Sequence, residues 1–202
     1  MDIFRIIQNI HHPNLIKCYD MYENETQILF VYEYIHSGDV RKYMHDLKYN
    51  PSSYNIDTIL KIAMQMIEGI LILHKYGIIN RDIKTTNMMI LVNSQMRKSI
   101  IANYLGVTDI QVTYNDMSDI TVKIIDFGLS RVLGKGEKSV DHYGSLCFKA
   151  PELIKNQPYD FKVDVWAVGI ALYYLVYKTF PRSHIWFYYR SNNIIFLYFN
   201  IH

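Results

Sequence analysis

Two segments constrain this 202-residue chain more than any others: IINRDIKTTNMMI at 78–90 and IIDFGLS at 124–130. In the first, Asp82 follows Arg81, with Lys84 two positions on and Asn87 five positions on. In the second, Asp126 closes an apolar, strand-like run and precedes Phe127 and Gly128. Two carboxylates and an amide at the ends of apolar segments make poor core residues, because burying them unpaired is costly. They suit a site that holds a divalent cation among phosphate oxygens and orients a hydroxyl for attack.

KAPE at 149–152 and DVWAVGI at 164–170 follow in that order. Four motifs in this order resemble the C-terminal lobe of a eukaryotic-type protein kinase, and Lys84, second after Asp82, points to the serine/threonine type. The fold this implies is α+β, a mostly helical C-terminal lobe with a remnant of the N-terminal lobe. The resemblance implies transfer of the γ-phosphoryl group of Mg-ATP to serine or threonine hydroxyls of a protein substrate. Asp82 would accept or orient the hydroxyl proton, Lys84 would neutralise charge on the phosphoryl group, and Asn87 and Asp126 would hold magnesium. The backbone of Glu33 and Ile35 would meet the adenine edge beside Tyr32 in the gatekeeper place. Asp39 would lie near the ribose, and Met89 would form part of the floor under adenine. Asp164 would brace the backbone of the 80–84 loop.

Three positions give this chain its own character. Asn80 stands where the family usually has His before the Arg-Asp pair. Ser145 stands where serine/threonine kinases place a Thr or Ser that bonds the catalytic Asp. Asp141, three before Gly144, occupies a place where many relatives carry a phosphorylated residue. Asp141 would pair with Arg81 as a permanent anion. The plainer reading makes it a solvated loop acid, with Ser139 as the modified residue.

Periodicity gives the elements. Ile3, Ile6, Ile7 and Ile10 repeat at helical spacing before Pro13, as at the end of the family's αC helix. Residues 28–40 begin as an apolar strand and turn polar at Ser37-Gly38-Asp39, where Ser37 or Asp39 can cap a helix with the stripe Val40, Tyr43, Met44, Leu47. From Asp57 to His74 runs the clearest helix, with Ile59, Ala63, Met66, Ile67, Ile70 and Leu73 on one face, Asp57 as cap and Gly77 as terminator. Residues 93–119 exceed what a plain hairpin needs and read as an insertion at its tip, which surface hairpins accept at little entropic cost.

A net charge of +2 gives no argument for nucleic acid or an anionic membrane. Cys18 and Cys147 fit no metal spacing and no disulfide framework, and no apolar run is long enough to span a bilayer. The expectation is an intracellular, cytoplasmic protein without a signal peptide.

The resemblance covers residues 1–181 as a partial kinase domain, from the end of αC to αF, and leaves 182–202 as a divergent aromatic-rich tail. A glycine-rich loop and its partner lysine do not occur in the sequence, and Ile3 stands at the place of the αC glutamate. Truncation at both ends is the expectation, with a partner as one possible source of the missing lobe. The rival readings are a catalytically inactive, pseudokinase-like binding module and a decayed kinase fragment.

Overall fold

The computed structural model describes residues 2–47, 56–92, 120–181, 189–191 and 194–196. The insertion expected at 93–119 and most of the tail expected at 182–202 lie outside them. The chain divides into two compact units, residues 1–69 with 85–125 and residues 70–84 with 126–202.

The first unit opens with α1 (Asp2–Gln8). The isoleucine spacing runs on to Ile10, but the helix ends at Gln8, two residues short of that spacing. The amides of Asn9 and Ile10 bond back only three residues, tightening the last turn before Pro13. Next come the antiparallel strands β1 (Cys18–Glu23) and β2 (Ile28–Tyr32), joined where Asn24 Oδ1 accepts the amides of Thr26 and Gln27. After β2 the chain reaches α2 (Val40–Leu47), where Asp39 Oδ1 accepts the Lys42 amide at 2.8 Å. Asp39 is thus the cap of that helix. Val40, Tyr43 and Met44 are buried beneath it, as the stripe requires.

Helix α3 spans Ile56–Lys75. Asp57 lies inside its first turn instead of preceding it, where a negative charge still suits the exposed amides. Ile59, Ala63, Met66, Ile70 and Leu73 are buried as expected, but Ile67 is 42% exposed and Ile62 takes a core place. One residue beyond Met66 is a 100° rotation, which carries Ile67 off the stripe. The helix ends where Gly77 adopts φ 71°, and the Gly77 amide bonds the His74 carbonyl.

Strands β3 (Ile78–Ile79), β4 (Met88–Val92), β5 (Ile120–Ile124) and β6 (Arg131–Val132) follow. In the first unit β4 and β5 pair antiparallel, with Met88 opposite Ile124. The Asn14 amide, 2% exposed, donates to Gln65 Oε1 and to the Val122 carbonyl. Gln65 in turn accepts the Val122 amide and donates to the Ile120 carbonyl. Two side-chain amides thereby tie the first-unit part of α3 to β5.

In the second unit β3 pairs with β6. The helices α4 (Pro151–Ile154) and α5 (Lys162–Tyr177) carry the rest. Ile79, Leu133, Ala150, Leu153, Tyr159 and Val163 form a core cluster, with Phe161 and Trp166 packed against it. Beyond α5 the backbone of β7 (Tyr189–Ser191) pairs with β8 (Ile194–Phe196). No helix of the described residues is long and apolar enough to cross a membrane.

Gly69 in α3 shows how closely helix and strand approach. A β-carbon there would stand 2.9 Å from Ile124 Cδ1 and 3.0 Å from the Asn14 carbonyl oxygen. Helix propensity alone makes Gly69→Ala stabilising by about 1 kcal/mol, whereas overpacking costs about 1–3 kcal/mol. One of the colliding atoms belongs to backbone and cannot swing aside, so the overlap wins. Gly69→Ala is expected to lower stability by about 1–2 kcal/mol in urea unfolding; a raised midpoint would show that the strand yields.

Candidate active site

The candidate residues of the second unit are assembled on one buried carboxylate. Asp164, in the first turn of α5 and 1% exposed, accepts the Asn80 amide at 2.8 Å on Oδ2 and the Arg81 amide at 2.9 Å on Oδ1. His74 Nε2 lies 2.8 Å from the same Oδ2. These contacts hold the loop through Arg81, whose φ of 71° puts a non-glycine residue in the left-handed region. Such a conformation persists where its surroundings over-determine it.

Asp82, Lys84 and Ser145 close on one another. Lys84 Nζ donates to Asp82 Oδ2 at 2.6 Å and to Ser145 Oγ at 3.0 Å, while the Ser145 hydroxyl and amide both donate to Asp82 Oδ1, at 2.8 and 3.1 Å. Asp82 is 8% exposed, so its charge is met by a cation and by charge-assisted hydrogen bonds. Gly144, before Ser145, has φ 95°, and a β-carbon there would overlap the Arg81 carbonyl oxygen. Only glycine allows this approach.

Asn80 performs a task that its residue type alone did not reveal. Its Nδ2 donates to the Asp126 carbonyl at 2.8 Å and its Oδ1 accepts the Asp82 amide at 3.1 Å. One buried amide side chain therefore links the loop that carries Asp82 to the backbone of Asp126. Asp126 Oδ1 accepts the Gly128 amide, and Phe127 is 2% exposed.

Arg81 is held on every side. Its Nε donates to the Leu129 carbonyl, Nη1 to Asp141 Oδ2 at 3.0 Å and to the Tyr159 hydroxyl at 3.4 Å, and its guanidinium lies 4.7 Å from the Tyr143 ring centroid. Asp141 also accepts from Arg131 Nη1 and Ser139 Oγ. The Arg81 guanidinium first, with Ser139 and Arg131 assisting, holds the Asp141 carboxyl below the usual carboxylate range. The pairing of Asp141 with Arg81 is thus present; Arg131, the second cation on it, is not marked by any motif.

The first unit, taken by itself, holds Asn87, Met89, Glu33, Ile35 and Asp39. Asn87 ends a 3-10 turn at Thr85–Asn87, is 9% exposed, and its carbonyl accepts the Ile125 amide. Met89 on β4 is bridged to Asp39, and the Ile90 amide bonds the Gly38 carbonyl. Ile35 is buried and the Glu33 amide is paired with the Lys17 carbonyl. The Glu33 side chain meets Lys123, 8% exposed, at 2.7 Å, and also accepts the Lys17 amide. Lys123 escaped notice because a lysine on a strand reads as solvent-facing. Asn87 and Asp126 fall in different units, and each is fixed within its own.

The protein kinase domain family model matches residues 4–194, and the chain belongs to that family. It is 28% identical to serine/threonine-protein kinase cds1 of Schizosaccharomyces pombe over 183 residues, 87% of this chain and 33% of that protein. It is 31% identical to serine/threonine-protein kinase ULK1 of Homo sapiens over 169 residues, 84% of this chain and 14% of that protein. With serine/threonine/tyrosine-protein kinase HT1 of Arabidopsis thaliana the identity is 29% over 176 residues, 87% of this chain and 38% of that protein. The chain spans well under half the length of each of these relatives. The α+β kinase-like fold expected from the motifs is the fold of this family.

Replacing Asn80 by Leu would keep the volume and remove the side-chain hydrogen bonds to the Asp126 carbonyl, the Ser130 hydroxyl and the Asp82 amide. A loss of about 2–4 kcal/mol is expected in denaturant unfolding, since each unmet group costs about 1–3 kcal/mol. A change below about 0.5 kcal/mol, the scale of a surface substitution, would show that the tie is replaceable.

Proposed function

We propose that the chain carries the catalytic loop of a serine/threonine protein kinase that transfers the γ-phosphoryl group of Mg-ATP to protein hydroxyls. The observation that carries this reading is the closed arrangement of Asp82, Lys84 and Ser145. In the proposed reaction the substrate hydroxyl oxygen forms a bond to the γ-phosphorus while the bridging bond to the β-phosphate breaks and ADP leaves. Asp82 orients the hydroxyl and takes its proton. Lys84, already beside Asp82, meets the charge on the transferred group, and catalysis rests on positioning and electrostatics.

Among the described residues no three His, Cys, Asp or Glu gather as a metal centre. Asn87 and Asp126 offer oxygen donors only, which fits a hard cation that keeps waters and phosphate oxygens as its other ligands. Asn87 and Asp126 would hold magnesium, and the ion would supply positive charge against the charge developing on the phosphoryl group. For the nucleotide base the reading assigns the backbone of Glu33 and Ile35, with Met89 beneath it and Asp39 by the ribose. The bridge between Asp39 and Met89 supports that grouping.

The glycine-rich loop and its lysine are not among these 202 residues. The proposal therefore assigns the phosphate clamp to a segment or partner polypeptide outside them. It takes residues 1–181 as the kinase portion, 93–119 as an insertion and 182–202 as a distinct tail. The same reading takes the protein as intracellular, as two unpaired cysteines favour.

The test is transfer of labelled γ-phosphate to a generic basic protein, with Asp82→Asn beside the unaltered chain. Loss of the general base is expected to lower the rate by at least about 10²-fold. Folded protein that transfers nothing, or a variant as fast as the original, would reject the enzyme reading in favour of a binding module.

A further inference from the structure

The first unit contains an open cavity of about 310 Å³. Its floor is apolar, made by Pro13 with Ile10 and Leu15, which are 7% and 1% exposed. Its wall carries Lys17, Glu33, Lys123, His11 and His12. Lys123 is the unusual member, because it is only 8% exposed and a buried ammonium is costly without partners. Its Nζ meets Glu33 Oε1 at 2.7 Å and donates to the Leu15 carbonyl at 3.3 Å. An ammonium has three donors, so one N–H is left over.

Donors on this wall outnumber acceptors. Glu33 Oε1 is shared between Lys123 and the Lys17 amide. The Lys17 ammonium lies 5.0 Å from the Tyr19 ring centroid and meets no carboxylate among the described residues. His12 Nδ1 accepts the Asn14 amide at 3.2 Å, so the neutral ring carries its proton on Nε2 and presents a donor there. His11 Nδ1 lies 3.1 Å from the Asn9 carbonyl, which keeps the proton on that nitrogen and leaves Nε2 as the acceptor. Two ammonium groups thus face one carboxylate, and the wall is positive.

We propose that this cavity binds a small organic oxyanion, a carboxylate or phosphate head carried on a compact apolar body. The head meets Lys17, the remaining N–H of Lys123 and His12 Nε2, while the body lies on Ile10, Pro13 and Leu15. A cation would face two ammonium groups, and a neutral apolar molecule would bury donors without giving them acceptors. The volume suits a ligand of one ring, at the small end of the range of about 300–1,000 Å³ for small-molecule sites. None of Asp82, Lys84, Asn87 and Asp126 lines the cavity, so the site stands apart from phosphoryl transfer. Glu33 alone is common to both, its backbone assigned to adenine and its side chain to this wall.

The experiment is a heteronuclear NMR titration of the isotope-labelled full chain with phenyl phosphate, benzoate and the neutral benzyl alcohol. It is run at low ionic strength, where the exposed Lys17 is least screened. Saturable shifts of amides within 10–17 are expected with at least one anion, at concentrations about tenfold below those benzyl alcohol needs. The tighter of the two anions names the head group. Lys17→Gln removes an exposed charge and is expected to weaken anion binding about tenfold while leaving benzyl alcohol unchanged. His12→Phe keeps a ring in place, removes the donor and is expected to weaken the anions as well. Lys123 is left in place, because its loss would strand the Glu33 carboxylate. Absence of saturable shifts at 10–17 with both anions, equal binding of benzyl alcohol, or anion binding unchanged in either variant overturns the proposal.

Discussion

A carboxylate that is 1% exposed has to be satisfied in full, and Asp164 is satisfied by backbone. It takes the amides of Asn80 and Arg81, with His74 on the same oxygen as Asn80. Burying an ion costs several kcal/mol before its partners repay it. His74 belongs to α3, whereas Asn80 and Arg81 belong to the loop that leads to Asp82. The helix that carries Asp164 is apolar around most of its circumference, so the core fixes the helix and the carboxylate then fixes the loop. Order passes from packing to polarity. That direction explains how a residue on α5 governs where Asp82 points.

From that anchor the loop extends two polar arms. Asn80 reaches the backbone of Asp126, and Asp82 reaches Ser145, with Lys84 bridging the latter pair. Each arm joins segments more than forty residues apart in sequence. Neither is a surface ion pair of small worth, because Asn80 and Asp82 are buried and the groups share donors and acceptors. A network of this kind is stabilising only when every member is satisfied. The left-handed Arg81 and the glycine at 144 are the backbone conditions for that satisfaction.

Much of this was legible beforehand, for definite physical reasons. The 80–84 loop and the Asp126 turn stood out because polar residues at the ends of apolar runs have few uses in a core. Helix α3 was readable from its period, and Asp39 from its place before an amphipathic stripe. Ile67 was misplaced because apolar identity says nothing of which isoleucine meets the core. Asn80 appeared as a departure from the family pattern, while its double hydrogen bond depends on where Asp126 comes to lie. Lys123 and Arg131 were invisible for the same reason. Their partners, Glu33 and Asp141, are near neither of them by any motif spacing.

The two missed cations share a physical logic. Lys123 is nearly buried and meets Glu33 at 2.7 Å; Arg131 is 39% exposed and meets Asp141 at 3.1 Å. The first pair is shielded from solvent and fixes the strand that leads to Asp126 against the chain following β2. The second is screened, and its worth lies in sharing an acceptor with the buried Arg81. Burial therefore makes one cation a fixed part of the first-unit scaffold. Exposure leaves the other where a change of anion can be felt, beside the segment that carries Ser145.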